Sequence, residues 1–178
     1  MYTKIGIIIF SLAIILGPLY TVENYSVTSN TISELGAQGT KNNFVAIIGF
    51  VAFGLGIILD SIRHRSRSCF LILLFGVFII TAGFLPHKPI NPEISYNATI
   101  NTLHSIMATL SGIALTTSFL LHSVRTISQR ERISSLYLAS VCIVFPMLMF
   151  SFPAYQGIIQ RLMYAQIFIW LWFSNSKK

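Results

Sequence analysis

The chain has 178 residues, of which 54% are apolar and only 10% are charged, and its formal net charge is +7. A soluble domain carries roughly a quarter charged residues, so this composition excludes an ordinary globular domain and predicts a polytopic membrane protein with spans of about 20 apolar residues. The positive charge does not point to nucleic acid, because most basic residues lie in short connectors between apolar runs, where they orient helices and meet anionic lipid headgroups.

Six spans follow in chain order: Ile5 to Tyr20, Phe44 to Leu59, Cys69 to Leu85, Ile100 to Leu121, Ile133 to Phe150 and Leu162 to Phe173. The first is expected to be a retained helix, because no small-residue cleavage site follows it and Tyr20-Thr21-Val22-Glu23 is a poor cleavage context. Several runs are short for a perpendicular crossing, so polar flanks must complete the helices or the bilayer must thin. Ala52 with Gly56, and Ala108 with Gly112, form small-x-x-x-small pairs expected to let neighbouring backbones approach. Pro146 is expected to kink the fifth span. Cys69 and Cys142 read as small buried hydrophobes without metal-type spacing. The fold class is therefore all-α, a single six-helix membrane domain over residues 1–178.

Charge gives this bundle an expected orientation. Lys4, Arg63, Arg65, Arg67, Arg125, Arg130, Arg132, Lys177 and Lys178 fall on one side, and Lys41, Lys88 and Arg161 on the other. The positive-inside rule then places both termini in the cytoplasm.

The chemistry-bearing residues gather in the outward connections. Between the first two spans lies Ser29-Asn30-Thr31-Ile32-Ser33-Glu34-Leu35-Gly36, which contains one of the five acidic residues of the chain. Thr31 to Glu34 fits a capping box, and Gly36 suits a left-handed terminating residue. The other reading of Glu34 is an outward ligand, ion-pair partner or general base. On the fourth span Asn97, Asn101, His104, Ala108, Ser111 and Ser118 share a helical face, which in a bilayer turns toward the bundle interior or a wet cavity.

Arg161, beside Gln160, opens the sixth span from the side that the positive-inside rule disfavours. It is read as an interfacial anchor, a partner for Glu34 or a fork for an anionic headgroup. Gln156, Gln160 and Met163 share one face. His87 lies in a proline-bounded outer loop. Glu34, His87 and His104 form a weak candidate metal set that lacks histidine-pair spacing. Ser29 or Ser33 with His104 would make a hydrolase, but neither serine has a nucleophile elbow. Asp60, His64 and His122, at the other helix ends, need only nearby arginines and solvent.

The order of the Ser29–Gly36 motif, Phe84-Leu85-Pro86, Leu103-His104-Ser105 and Gln160-Arg161 resembles the prokaryotic membrane family catalogued as domain of unknown function 998. The resemblance covers essentially the whole chain. It implies six helices and a location in the cytoplasmic membrane of a bacterium or archaeon. His87-Lys88 stands where members often carry an acidic residue, which counts against an acidic metal ligand there. The family in turn distantly resembles eukaryotic Frag/DRAM-type proteins associated with lipid and membrane homeostasis.

The resulting expectation is an outward polar pocket that binds a lipid headgroup or small amphiphile through Ser29, Asn30, Ser33, Glu34, Asn101, His104, Gln160 and Arg161. Glu34 and His104 are the catalytic candidates of the alternative, a membrane-embedded lipid hydrolase or transferase. A third reading is a structural bundle without a ligand. The expected partners are membrane lipids; the sequence names no cofactor and fixes no oligomeric state. Transport is disfavoured by the lack of an acidic residue deep in a span.

Overall fold

The computed structural model describes residues 1–64 and 69–174, so Arg65, Arg67, Lys177 and Lys178 of the charge argument lie outside the described residues. It contains α1 (Tyr2–Tyr20), α2 (Phe44–His64), α3 (Cys69–Phe84), α4 (Ala98–Arg125), α5 (Gln129–Ser151) and α6 (Gln156–Ser174), and among the described residues no strand. Each helix packs on the next and α6 returns to α1, closing a ring. Helices α1, α2, α4 and α5 are long and apolar enough to cross a membrane, whereas the apolar part of α3, Phe70–Phe84, is shorter.

Helices α2 and α3 begin at Phe44 and Cys69 as hydropathy indicates, whereas α4 and α5 begin a few residues earlier because polar caps set their starts. The Asn97 side chain accepts from the Ile100 amide at 3.1 Å, and the Ser128 hydroxyl from the Glu131 amide at 3.4 Å. Each cap satisfies one of the amides that a helix N-terminus leaves without an intrahelical partner. A 3-10 turn, Pro153–Tyr155, leads into α6 at Gln156 rather than at Leu162. Helix α5 continues through Pro146 to Ser151.

Aromatic rings fill the centre. Phe10 of α1 lies 4.8 Å from Phe50 and 5.5 Å from Phe53 of α2, and Phe53 lies 5.0 Å from Phe168 of α6, measured between ring centroids. Burying such rings removes large apolar areas and adds edge-to-face attraction. The Ala52–Gly56 pair behaves as expected, bringing α2 against α1: a Cβ on Gly56 would stand 2.6 Å from the Tyr2 carbonyl oxygen. The Ala108–Gly112 pair does not. A Cβ on Gly112 would meet nothing within 4 Å, because α4 turns this small-residue face toward a cleft and not toward a neighbouring helix.

The bundle has two distinct ends. At the lower end the Asp60 carboxylate, 5% exposed, accepts from the Met1 ammonium at 3.1 Å and the Thr3 amide at 2.8 Å. Asp60 thus caps α1 from another helix, a role that the nearby arginines did not suggest. Lys4 lies over the Trp172 ring at 5.0 Å, tying the start of α1 to the end of α6. At the upper end are the 3-10 turn Ile32–Gly36, the 86–97 connection and the start of α6.

Candidate functional site

The upper loops are locked to one another mainly through backbone groups. The Thr31–Glu34 capping box forms, with the Thr31 amide and hydroxyl donating to Glu34 Oε2 at 2.5 and 2.9 Å. Gly36 is not left-handed. It is buried with Ala46 close by, so that a Cβ there would stand 3.2 Å from the Ala46 methyl, and positive φ occurs instead at Gly39, Asn24 and Asn42.

Arg161 clamps the preceding segment onto α6. One terminal nitrogen donates at 3.0 Å to each of the Val27, Asn30 and Gly157 carbonyls, and the other donates to the Tyr25 hydroxyl at 2.6 Å. The Tyr25 hydroxyl in turn donates to the carbonyls of Asn30 and Thr31. No ion pair joins Glu34 and Arg161, because each is already held by closer groups of the loop. Burial pushes the Tyr25 phenol above its ordinary value, against the opposing pull of the Arg161 hydrogen bond.

Close approach here demands a residue without a side chain. A Cβ on Gly157 would collide with the Asn30 carbonyl and stand 2.6 Å from that of Val27. The adjacent Ile158 amide donates to the Thr28 carbonyl at 3.1 Å. Asn30 spends its side-chain oxygen on the Ser26 amide, and Ser29 belongs to the same turn through its amide.

Gln38 forms a second clamp that sequence reasoning missed. Its backbone amide donates to the His87 carbonyl at 2.8 Å, and its side chain bonds the Pro86 carbonyl and both backbone groups of Asn97. No local pattern marks it, since its partners are about 50 to 60 residues away in sequence. Asn101 is occupied similarly, accepting from the Lys88 amide at 2.8 Å.

Beneath these clamps lies a cavity of about 570 Å³ bounded by α3, α4, α5 and α6, with Phe50 of α2 at its back. Ser33, His104 and Gln160 are at its upper end. Apolar residues dominate below, among them Phe75, Ile79, Leu115, Met163 and Ile167. On α4 it extends from His104 to Thr117, about 20 Å at the rise of an α-helix.

The cavity opens sideways. Ala108, Thr109 and Ile113 of α4, and Ile143 and Pro146 of α5, line it and are exposed. The connection between these two helices, residues 126–128, lies at the lower end, away from His104.

His104, 4% exposed, is held by α3. Its Nδ1 lies 2.9 Å from the Ala82 carbonyl oxygen and 2.7 Å from that of Leu85. Carbonyls only accept, so Nδ1 carries a proton, and in the neutral ring Nε2 is left as an acceptor. His87 stands edge-on to it with ring centroids 5.4 Å apart, its own Nδ1 donating to the Lys88 carbonyl. Burial pulls His87 below its ordinary value, partly offset by that bond.

Of the expected ligand set, Ser33, His104 and Gln160 meet at the cavity. Ser29, Asn30, Glu34, Asn101 and Arg161 do not line it and instead build its roof. Met163 joins Gln160 on the wall, but Gln156 does not. Glu34, His87 and His104, the weak candidate metal set, are not brought together as a group. Among the described residues no group of three or more His, Cys, Asp or Glu is placed to hold a metal ion, and the Glu34 carboxylate is taken up by its capping box. Ser33 and His104 share the cavity without a hydrogen bond between them, and Ser29 does not reach it.

Compared with protein families, residues 5–173 match the model described as "Protein of unknown function (DUF998)". No curated protein and no solved structure matches the chain.

Proposed function

This chain belongs to the DUF998 family, and we propose that it is a six-span protein of a cytoplasmic membrane that binds a single-chain membrane amphiphile in the cleft between α4 and α5. The charge distribution supports cytoplasmic termini and an outward-facing upper end. The observation that carries the binding reading is the sideways opening of a largely apolar cavity between two helices long enough to span the membrane. Its volume, about 570 Å³, falls within the range of roughly 300–1,000 Å³ typical of small-molecule sites. An acyl chain enters from the bilayer through the exposed faces of Ala108, Thr109 and Ile143, and its head reaches Ser33, His104 and Gln160.

In this reading the remaining polar residues of the upper end position the site. Arg161 and Glu34 fix the turn that presents Ser33, and Gln160 joins turn to cavity through its bond from the Ile32 amide at 2.6 Å. Cys142, a free cysteine that lines the cavity, offers a direct test. In a Cys69→Ser background, alkylation of Cys142 by a membrane-soluble maleimide should slow as a single-chain amphiphile is titrated into nanodiscs. A rate unaffected by the amphiphile would contradict the proposal.

A further inference from the structure

The donors and acceptors at the top of the cleft define a ligand class more closely, an inference that rests on the cleft being an amphiphile site. His104 is buried, has its Nδ1 fixed by the Ala82 and Leu85 carbonyls, and has no partner for Nε2 among the described residues. His104 lines the cavity, so this unpartnered Nε2 lone pair is an acceptor that a donor entering the cavity can meet. Gln160 gives its carbonyl oxygen to the Ile32 amide, which leaves its amino group to donate. The Ser33 hydroxyl has no partner among the described residues and can do either.

Among the described residues no charged side chain lines this end of the cavity. The terminal nitrogens of Arg161 are taken by Val27, Asn30, Gly157 and Tyr25, and the Glu34 carboxylate by Thr31. Neither residue lines the cavity, and neither does Lys88. His87, beside His104, is kept toward its neutral form by burial. A phosphate or carboxylate head would therefore enter without a counter-charge, and an ammonium head without a carboxylate.

We infer that the cleft selects a single-chain lipid with an uncharged, hydroxyl-bearing head, such as a glycerol monoester or a long-chain alcohol, whose hydroxyl donates to His104 Nε2. An ester or second oxygen of the same head accepts from Gln160 and Ser33.

The test uses the full-length purified protein and native mass spectrometry with three probes of one oleoyl chain: the glycerol monoester, the fatty acid at pH 8 and the lysophosphatidate. The monoester should be retained roughly tenfold more than either anion, the scale of one well-made hydrogen bond. Ser33→Ala and His104→Phe should each reduce that preference several-fold, and Ser33→Ala keeps the test available if His104→Phe does not fold. Equal retention of all three probes, abolished by Gly112→Trp, would leave the cleft reading intact and overturn the head-group inference. Preferential retention of an anion would overturn it too. Retention of no probe, or retention unaffected by Gly112→Trp, would overturn the cleft reading and this inference together.

Discussion

Arg161 and Gly157 make the upper end rigid from a few atoms. Three carbonyls converge on one guanidinium nitrogen, and the same turn presses on the Gly157 Cα. Arg161→Met should strand those carbonyls and destabilise the protein by on the order of 3 kcal/mol. Hydrogen exchange in residues 25–31 should rise with it. Arg161→Lys should recover only part of the loss, since a single ammonium lacks the planar fork. Gly157→Ala should cost about 1–3 kcal/mol by overpacking; a thermal-shift assay in detergent showing either variant unchanged would refute the clamp. His87 carries a pH signature. Its folded value lies below the ordinary 6.5, so below that pH the unfolded chain takes up a proton that the folded chain resists. Stability should accordingly fall as pH is lowered through the window beneath 6.5, less steeply in His87→Gln. An NMR titration placing the ring at or above 6.5 would contradict this assignment.

At the scale of elements, contacts distant in sequence decide how helices start and where they touch. Asp60→Ala should leave the Met1, Tyr2 and Thr3 nitrogens without their carboxylate and cost about 1–3 kcal/mol, with Asp60→Asn losing less. Retained thermal stability in Asp60→Ala would show that α1 is held by its glycine-mediated packing alone. The helices themselves were legible in the sequence because hydropathy and charge read out directly as spans and connectors. The capping box was legible because Thr31 and Glu34 are three residues apart. Gln38 and the Asp60 cap were not, since nothing local distinguishes them from any polar side chain at a helix end. The Ala108–Gly112 pair shows a different limit: small residues permit close packing but do not require it, and here they leave an opening.

Across the whole molecule, the residues that the sequence offered as ligands divide into Ser33, His104 and Gln160, which line the cavity, and Ser29, Asn30, Glu34, Asn101 and Arg161, which hold the loops above it. Charge drew attention to Glu34 and Arg161, whereas the arrangement uses their charge on backbone dipoles of their own end. What remains facing the cavity is neutral, above a long apolar wall. In the proposed function, that division of labour supplies a lid, an uncharged polar head site and a chain slot open to the bilayer. The most direct measurement of this account compares lipid bound to the wild-type protein with that bound to Gly112→Trp, both extracted from the same membranes and analysed by native mass spectrometry. Because Gly112 faces open space, the indole should fill the slot without disturbing the fold. The expected result is a stoichiometric single-chain adduct on the wild type, absent from a Gly112→Trp protein of equal or higher thermal stability. An identical adduct on both, or none on the wild type, would contradict it.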